Sequence, residues 1–422
     1  MDIGRIEGEA EARIATHRQG DFALRLRTAT GEPLGQAQVS ARLVQHDFRL
    51  GANGFLLAGT GAPASGGAAD DRLTLAYRQT FANVLNYATL PFYWGGYETT
   101  AGTEGRERLR AMAAWCREHG VRTKGHPLAW HEVFPKWAAA RPDADVIQRL
   151  RERITRIVGE FAGLIDTWDV FNETTVAARF DNAVGRWVKA RGAAACVAET
   201  LDLARAANAR AEVLYNDFNV SPAFIELVAD LRRRGTPLDA IGIQSHMHKG
   251  VWSAEKLWET CETYAQFGLP LHFTEMTILS GRLKGDQDND WHLRQPDWPS
   301  TPDGEQRQLE AGRRFYTLLF SHPAVEAITW WDFSDRRAWQ GAPAGLVRSD
   351  MSPKPLAEWL WQVFGAHWTT CAQTTTDATG AARFRGFFGT YTVRATTPGG
   401  VCVAGACTFA RRGPREVEVT VD

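Results

Sequence analysis

The sequence predicts an α/β chain: a (β/α)8 barrel with a small all-β accessory domain built from the two ends. Three observations carry this expectation. Between about residues 48 and 365, short apolar runs alternate with amphipathic helical stretches, as in parallel βαβ units. Eight such runs occur, enough for a closed barrel. Both ends lack helical periodicity and instead show the two-residue alternation of strands.

Taken in order, residues 1–47 read as an N-terminal β segment. Phe22 to Leu26 alternates, Thr30-Gly31-Glu32-Pro33 marks a turn, and Val39 to Val44 alternates again. Residues 48–365 form the expected barrel. Its strand candidates lie around Phe48–Ala52, Val84–Ala88, Arg122–Pro127, Asp166–Phe171, Glu212–Asn216, Ala240–Gln244, Leu271–Thr274 and Ala327–Trp331. One unit shows the logic. Ser253 is placed to cap a helix whose Leu257, Cys261 and Tyr264 share one face, and Gly268 is placed to end it. Pro270 to Thr274 then reads as a strand, with Glu275 at its C-terminal end. Residues 366–422 return to alternation at Ala382–Phe388, Tyr391–Arg394 and Val417–Val421, and are expected to pair with residues 1–47 in a β-sandwich. A doubly wound sheet is the rival, but no GxGxxG or GxxxxGK[ST] loop is present, which also argues against nucleotide chemistry.

Composition narrows the partners. Lysine plus arginine number 48 against 49 acidic residues, so no net field favours nucleic acid or an anionic membrane, and a neutral carbohydrate suits the balance. The 16 tryptophans fit either sugar stacking or barrel packing. No run approaches the ~20 apolar residues of a membrane span. Met1 to Gly20 is polar and carries no signal-peptide pattern, leaving a cytoplasmic protein or a secreted one whose leader was removed. The six cysteines are scattered without CxxC spacing; Cys402 and Cys407 are close enough in sequence to bridge a short hairpin. A monomer without cofactor is expected.

In a (β/α)8 barrel, functional residues sit at the C-terminal ends of the strands. Strand three runs into Lys124–Glu132, strand four into Trp168–Glu173, and strand five into Tyr215–Asn219. Strand six runs into Gln244–His248, strand seven ends at Glu275, and strand eight leads to Trp330-Trp331-Asp332, with Trp339 beyond. Alone, each glutamate reads as a solvated loop charge and each histidine as structural. His126, His131 and Glu132 do not form the HExxH helical pair, so no metal is expected. Together, Glu173 and Glu275 place two carboxylates across one barrel mouth. Double-displacement glycosidic cleavage needs such a pair, ~5–5.5 Å apart, one ionised and the other held protonated by its neighbour's charge. Asn172 is placed for a 2-hydroxyl contact.

Trp168-Asp169-Val170-Phe171-Asn172-Glu173 resembles the WDVVNE segment of glycoside hydrolase family 10, the endo-β-1,4-xylanase family. The likeness runs from about Phe48 to Phe364. Lys124–His131 resembles RGHxLxWH, Leu214–Asn219 resembles LxxNDYN, Ile241–His246 resembles IGxQSH, and Phe273–Ile278 resembles TELDI. Trp331 and Trp339 match two spaced tryptophans. The resemblance implies Glu173 as acid/base, Glu275 as nucleophile and His246 as the histidine bonded to the nucleophile. It implies sugar contacts for Asn172, His126, Trp130, Gln244 and Asn216, with Trp331 and Trp339 as aromatic walls.

Two stretches depart from the family pattern. Where ENxxKW is usual after strand two, this chain has Pro91-Phe92-Tyr93-Trp94-Gly95-Gly96, so Tyr93 and Trp94 become candidates to close the glycone end. Leu279 to Thr301 is long and contains Trp291 and Trp298, a candidate wall over the cleft. The expected function is a retaining β-glycoside hydrolase acting on β-1,4-xylan or xylo-oligosaccharides. The alternatives are an exo-acting or aryl/saponin β-glycosidase, and a non-catalytic carbohydrate-binding barrel.

Overall fold

The computed structural model describes residues 1–59, 68–285, 290–295 and 297–421. They divide into two compact units: Leu50–Tyr316 with Ala324–Ala357, and Met1–Arg49 with Thr317–Pro323 and Glu358–Asp422.

The larger unit is built on eight parallel strands: β1 (Arg49–Asn53), β2 (Tyr87–Pro91), β3 (Arg122–His126), β4 (Thr167–Asn172), β5 (Glu212–Asp217), β6 (Ala240–Ile243), β7 (Leu271–Ile278) and β8 (Val325–Trp330). Each pairs with the next, and β8 pairs with both β7 and β1, closing the barrel. Barrel strands face side chains inside and helices outside, so they are apolar on both faces. All eight residues of β7 are buried. The helix preceding β7, Ala254–Ala265, is capped by the Ser253 hydroxyl, which accepts from the Lys256 N–H at 3.2 Å. It buries Leu257, Cys261 and Tyr264, and Gly268 follows at φ +68°, a left-handed conformation open to glycine.

Strand two lies three residues later than its sequence pattern suggests. Residues up to Val84 are helical, and the Leu85 N–H still bonds the Phe81 carbonyl at 2.9 Å, so the apolar run there ends a helix instead of starting a strand. Phe92 to Trp94 therefore follow directly on the end of β2.

The smaller unit is a sandwich of two sheets. In one, Gln19–Thr28 lies between Ala381–Phe387 (antiparallel) and Glu416–Val421 (parallel). The other has the order Cys371–Thr375, Gln38–His46, Gly389–Thr396, Cys402–Phe409, all antiparallel. Alternate residues point inward: Phe22, Leu24 and Leu26 from one sheet, Tyr391, Val393 and Ala395 from the other. Phe22 stacks on Phe409 at a centroid distance of 4.2 Å.

Two expectations for this unit are corrected. The first residues are not all strand and loop: helices Ile3–Gly8 and Ala10–His17 precede the first strand, the former capped by the Asp2 carboxylate on the Arg5 N–H at 3.0 Å. Their apolar stripe is Ile3, Ile6, Ala10 and Ile14, too sparse to stand out among charges. Cys402 and Cys407 are both free and lie on the single strand Cys402–Phe409. Five residues of extended chain span about 17 Å, far beyond the reach of a disulfide.

In the barrel, β3 and β4 fit because Gly125 has no side chain: a Cβ there would lie 2.1 Å from the Trp168 ring. Trp168 is fully buried and has no room to swing. Gly125→Ala is expected to destabilise the fold by about 1–3 kcal/mol or more; the urea midpoint measures this, and an unchanged midpoint contradicts this packing.

Candidate active site

Glu173 follows the last residue of β4 with left-handed backbone angles, φ 59° and ψ 41°. Such angles are costly for a residue with a Cβ and need support from their surroundings. Here the Glu173 N–H bonds the Asn216 carbonyl at 2.9 Å, and the Asn172 N–H bonds the Ala129 carbonyl at 3.0 Å. The turn aims the Glu173 carboxyl at three donors: Trp130 Nε1 on Oε2 (3.1 Å), and Asn172 Nδ2 (2.9 Å) and Gln244 Nε2 (2.8 Å) on Oε1.

Glu275 lies within β7, buried. Asn216 Nδ2 donates to its Oε1 at 2.8 Å, and His246 Nε2 lies 2.9 Å from its Oε2. The other His246 nitrogen, Nδ1, is 3.0 Å from the Thr277 hydroxyl, which itself donates to the Trp331 carbonyl at 2.7 Å. The imidazole is thus clamped on both sides. Asn216 also donates to Asn172 Oδ1 at 2.8 Å and accepts from the Thr274 hydroxyl through its own Oδ1. The two glutamates are therefore joined through Asn172 and Asn216, with β4, β5 and β7 each holding part of the bridge.

Behind this pair lies a second, fully buried carboxylate. Asp169 Oδ2 receives Lys124 Nζ at 2.5 Å and His126 Nδ1 at 2.8 Å. The His126 ring then presents Nε2 to Glu275 Oε1 at 3.8 Å, too long for a hydrogen bond but close enough for its field to act.

These surroundings push the two glutamates apart electrostatically. Burial drives the Glu173 pKa up to about 8; the Gln244 hydrogen bond opposes the rise, and the charge of Glu275 adds to it. Burial also raises Glu275, but the His246 hydrogen bond and the fields of His126, His246 and Lys124 outweigh it, leaving that carboxyl below its ordinary value. Near neutral pH the arrangement holds one carboxylic acid and one carboxylate side by side.

Aromatic rings line the surroundings. Tyr93 is half-buried, edge-on to His126 (5.4 Å) and tilted against Trp130 (5.7 Å). Trp331 lies edge-on to His126 at 5.5 Å. Trp339, 36% exposed, lies 4.9 Å from His246 and stacks on Trp291 at 5.9 Å. Asp332, which burial pushes up to about 6, accepts the Trp339 N–H at 2.6 Å and the Asn53 amide, fixing the start of that loop.

Two expected wall residues lie elsewhere. Trp94 is buried, spends its N–H on the Glu98 carboxylate at 2.9 Å, and packs against Phe134 and Trp137. Neighbouring Tyr93 turns to the carboxylates and Trp94 turns away. Trp298 is buried with Leu279, Ala342 and Ala344, its N–H on the Arg282 carbonyl at 2.8 Å. In the same long loop, residues 286–289 and 296 lie outside the described residues. Phe55, which sequence reasoning did not single out, sits edge-on to Trp331 at 5.2 Å and to Tyr93 at 6.0 Å. It follows the end of β1, so following strand one to its end would have found it.

Burial raises Asp169, but Lys124 and His126 outweigh that and hold it below its ordinary value. A depressed carboxyl stabilises the fold fully above its unfolded pKa of ~3.9 and loses that contribution only as pH falls through the lower folded value. Lys124→Met leaves Asp169 buried beside His126 alone and is expected to cost about 3–5 kcal/mol at neutral pH. Denaturant unfolding across pH measures this, and a loss below 1 kcal/mol contradicts it.

Comparison with known proteins gives the family of the chain. Residues 91–363 match the family model described as glycosyl hydrolase family 10. Anti-sigma-I factor RsgI6 of Acetivibrio thermocellus is 25% identical over 399 residues, covering 93% of this chain and 47% of that protein. Endo-1,4-beta-xylanase B of Thermotoga neapolitana is 28% identical over 252 residues, covering 55% of this chain and 66% of that protein. The chain thus spans about half to two thirds of these relatives. In fold it is similar to a family 10 structure from Paenibacillus barcinonensis (20% identity, TM-score 0.62, 76% of this chain and 96% of that one). A family 10 endoxylanase from a sugarcane soil metagenome is comparable (19% identity, TM-score 0.64, 75% and 97%). The matched span covers well over half of the chain and contains both glutamates: the chain belongs to glycosyl hydrolase family 10.

Proposed function

We propose that this chain is a retaining β-glycosidase that cleaves β-1,4-xylan or xylo-oligosaccharides by double displacement. The observation that carries this reading is the pair Glu173 and Glu275, bridged by Asn172 and Asn216 and shifted in opposite directions by their surroundings. Membership of family 10 and similarity to proteins named endo-1,4-beta-xylanases support the substrate class.

Glu275, ionised and held by Asn216 and His246, attacks the anomeric carbon. Glu173, protonated, gives its proton to the leaving glycosidic oxygen, and a glycosyl-enzyme ester forms on Glu275. Glu173, now ionised, takes a proton from water as that water attacks the anomeric carbon and releases Glu275. The two roles need opposite protonation states at the same pH, which the pair supplies. Trp130, Gln244 and Asn172 orient Glu173. Tyr93, Trp331 and Trp339 offer ring faces and edges to the sugar.

The first-formed anomer, followed by NMR, is expected to keep the β configuration; an inverted product overturns the assignment. Glu275→Ala is expected to abolish turnover of aryl β-xylosides and xylan alike. Glu173→Ala should slow substrates with poor leaving groups by about 10²–10⁴ while leaving activated aryl glycosides far less affected at glycosylation, because those barely need protonation. Equal losses for both classes mean Glu173 is not the acid.

The pH dependence follows from the shifts. Glu173 must be protonated, so kcat/KM falls as pH rises through about 8. Glu275 must be ionised, so the acid limb lies below the ordinary glutamate pKa. Glu173→Gln should remove the basic limb; a limb that persists assigns it to another group.

A further inference from the structure

We propose that His131, Glu132 and Glu173 form a binding site for a divalent transition-metal ion such as Zn²⁺. The site is distinct from the His126–His131–Glu132 combination that the sequence brings to mind, because His126 is committed to Asp169. His131 and Glu132 follow β3, Glu173 follows the adjacent β4, and one donor atom from each lies within 4.8 Å of the others.

The side chain that points to a ligand is His131. It is 1% exposed, and neither ring nitrogen has a hydrogen-bond partner among the described residues. A buried imidazole left unpaired at both nitrogens is costly, and native interiors seldom tolerate it without a ligand or a role. The Phe180 ring, at a centroid distance of 4.0 Å, and the Asn182 amide on the His131 carbonyl at 2.8 Å hold the residue where it is. Burial keeps the imidazole neutral, with its pKa down to about 4, so a lone pair stands ready for a cation.

The two carboxylates complete the donor set. Glu132 is half-buried and pairs only weakly, its carboxylate 3.8 Å from His292 Nε2. Glu173 accepts three hydrogen bonds, two on Oε1 and one on Oε2. A carboxylate has about four acceptor positions, so Oε2 retains one. Once Glu173 gives up its proton to solvent, one neutral imidazole and two carboxylates form a set for zinc, cobalt or nickel, since calcium and magnesium prefer oxygen alone. Donor atoms on a tetrahedral zinc, each about 2.1 Å from the ion, lie about 3.4 Å from one another. Side-chain adjustments of under an ångström therefore bring the three donors into place, with water in the fourth position.

On the reading of Glu173 as the acid, an ion at this site takes the oxygen that must carry the proton, so Zn²⁺ should act as a reversible inhibitor. The binding test does not depend on that reading. Zn²⁺ titrated into the full chain by calorimetry is expected to show one saturable site. His131→Gln and the half-exposed Glu132→Gln should each weaken it at least 10-fold. With Co²⁺, the visible spectrum should show nitrogen–oxygen ligation without a thiolate charge-transfer band. Unchanged affinity in both variants, no saturation below millimolar Zn²⁺, or a thiolate band from exposed Cys371 or Cys402 overturns the site. Binding that follows the variants, together with turnover insensitive to Zn²⁺, upholds the site and overturns the role given to Glu173.

Discussion

Two buried carboxyl groups in one barrel mouth cannot both be charged at ordinary cost, and this constraint organises the surroundings of Glu173 and Glu275. The asymmetry comes from what each receives. Glu275 has an imidazole, an amide and, one layer back, the Lys124–His126–Asp169 cluster. Glu173 has an indole and two amides, neutral donors that hold its shape without fixing its charge. Asn216 touches both sides of this division, because its amide nitrogen serves Glu275 and Asn172 together.

The barrel supplies that asymmetry by assigning each part to a different strand end. Asn172 comes from β4, Asn216 from β5 and Glu275 from β7, while Gln244 and His246 follow β6. Absent side chains matter as much as present ones. A Cβ on Gly242 of β6 would meet Asn216 Oδ1 at 2.7 Å, so the bridging amide occupies space that only glycine leaves. Deeper in the unit, Arg153 is buried and directs its guanidinium to the Leu128 and Phe92 carbonyls, tying the segments after β2 and β3 together.

Much of this was legible in the sequence, for physical reasons that also explain what was not. Barrel strands are buried on both faces, so they stand out as apolar runs, and a glutamate at the end of such a run stands out in turn. Strand two was displaced because Phe81 and Leu85, four residues apart, serve a helix as readily as a short run serves a strand. Asp169 lies inside the strand candidate Asp166–Phe171, and nothing local says that its partner is Lys124, forty-five residues earlier on the neighbouring strand. Consecutive aromatics were hardest to sort. Tyr93 and Trp94 have the same chemistry in a list, and only the turn after β2 decides which one faces the carboxylates. The unpaired nitrogens of His131 belong to the same class, because partners are a property of space.

The sandwich has a consequence for how the chain is made. Its first strand, Gln19–Thr28, pairs with Ala381–Phe387 and Glu416–Val421, and Asp21 meets Arg385, 364 positions later in the chain. The entire barrel is therefore an insertion within the sandwich. During synthesis, the early strands Gln19–Thr28 and Gln38–His46 emerge with apolar faces and no partners, and must wait until the barrel is complete. Closing the sandwich then certifies that the intervening chain has been translated to its end. A chain truncated within the barrel would keep two sticky, unpaired strands exposed, a signal that quality control by chaperones and proteases can read.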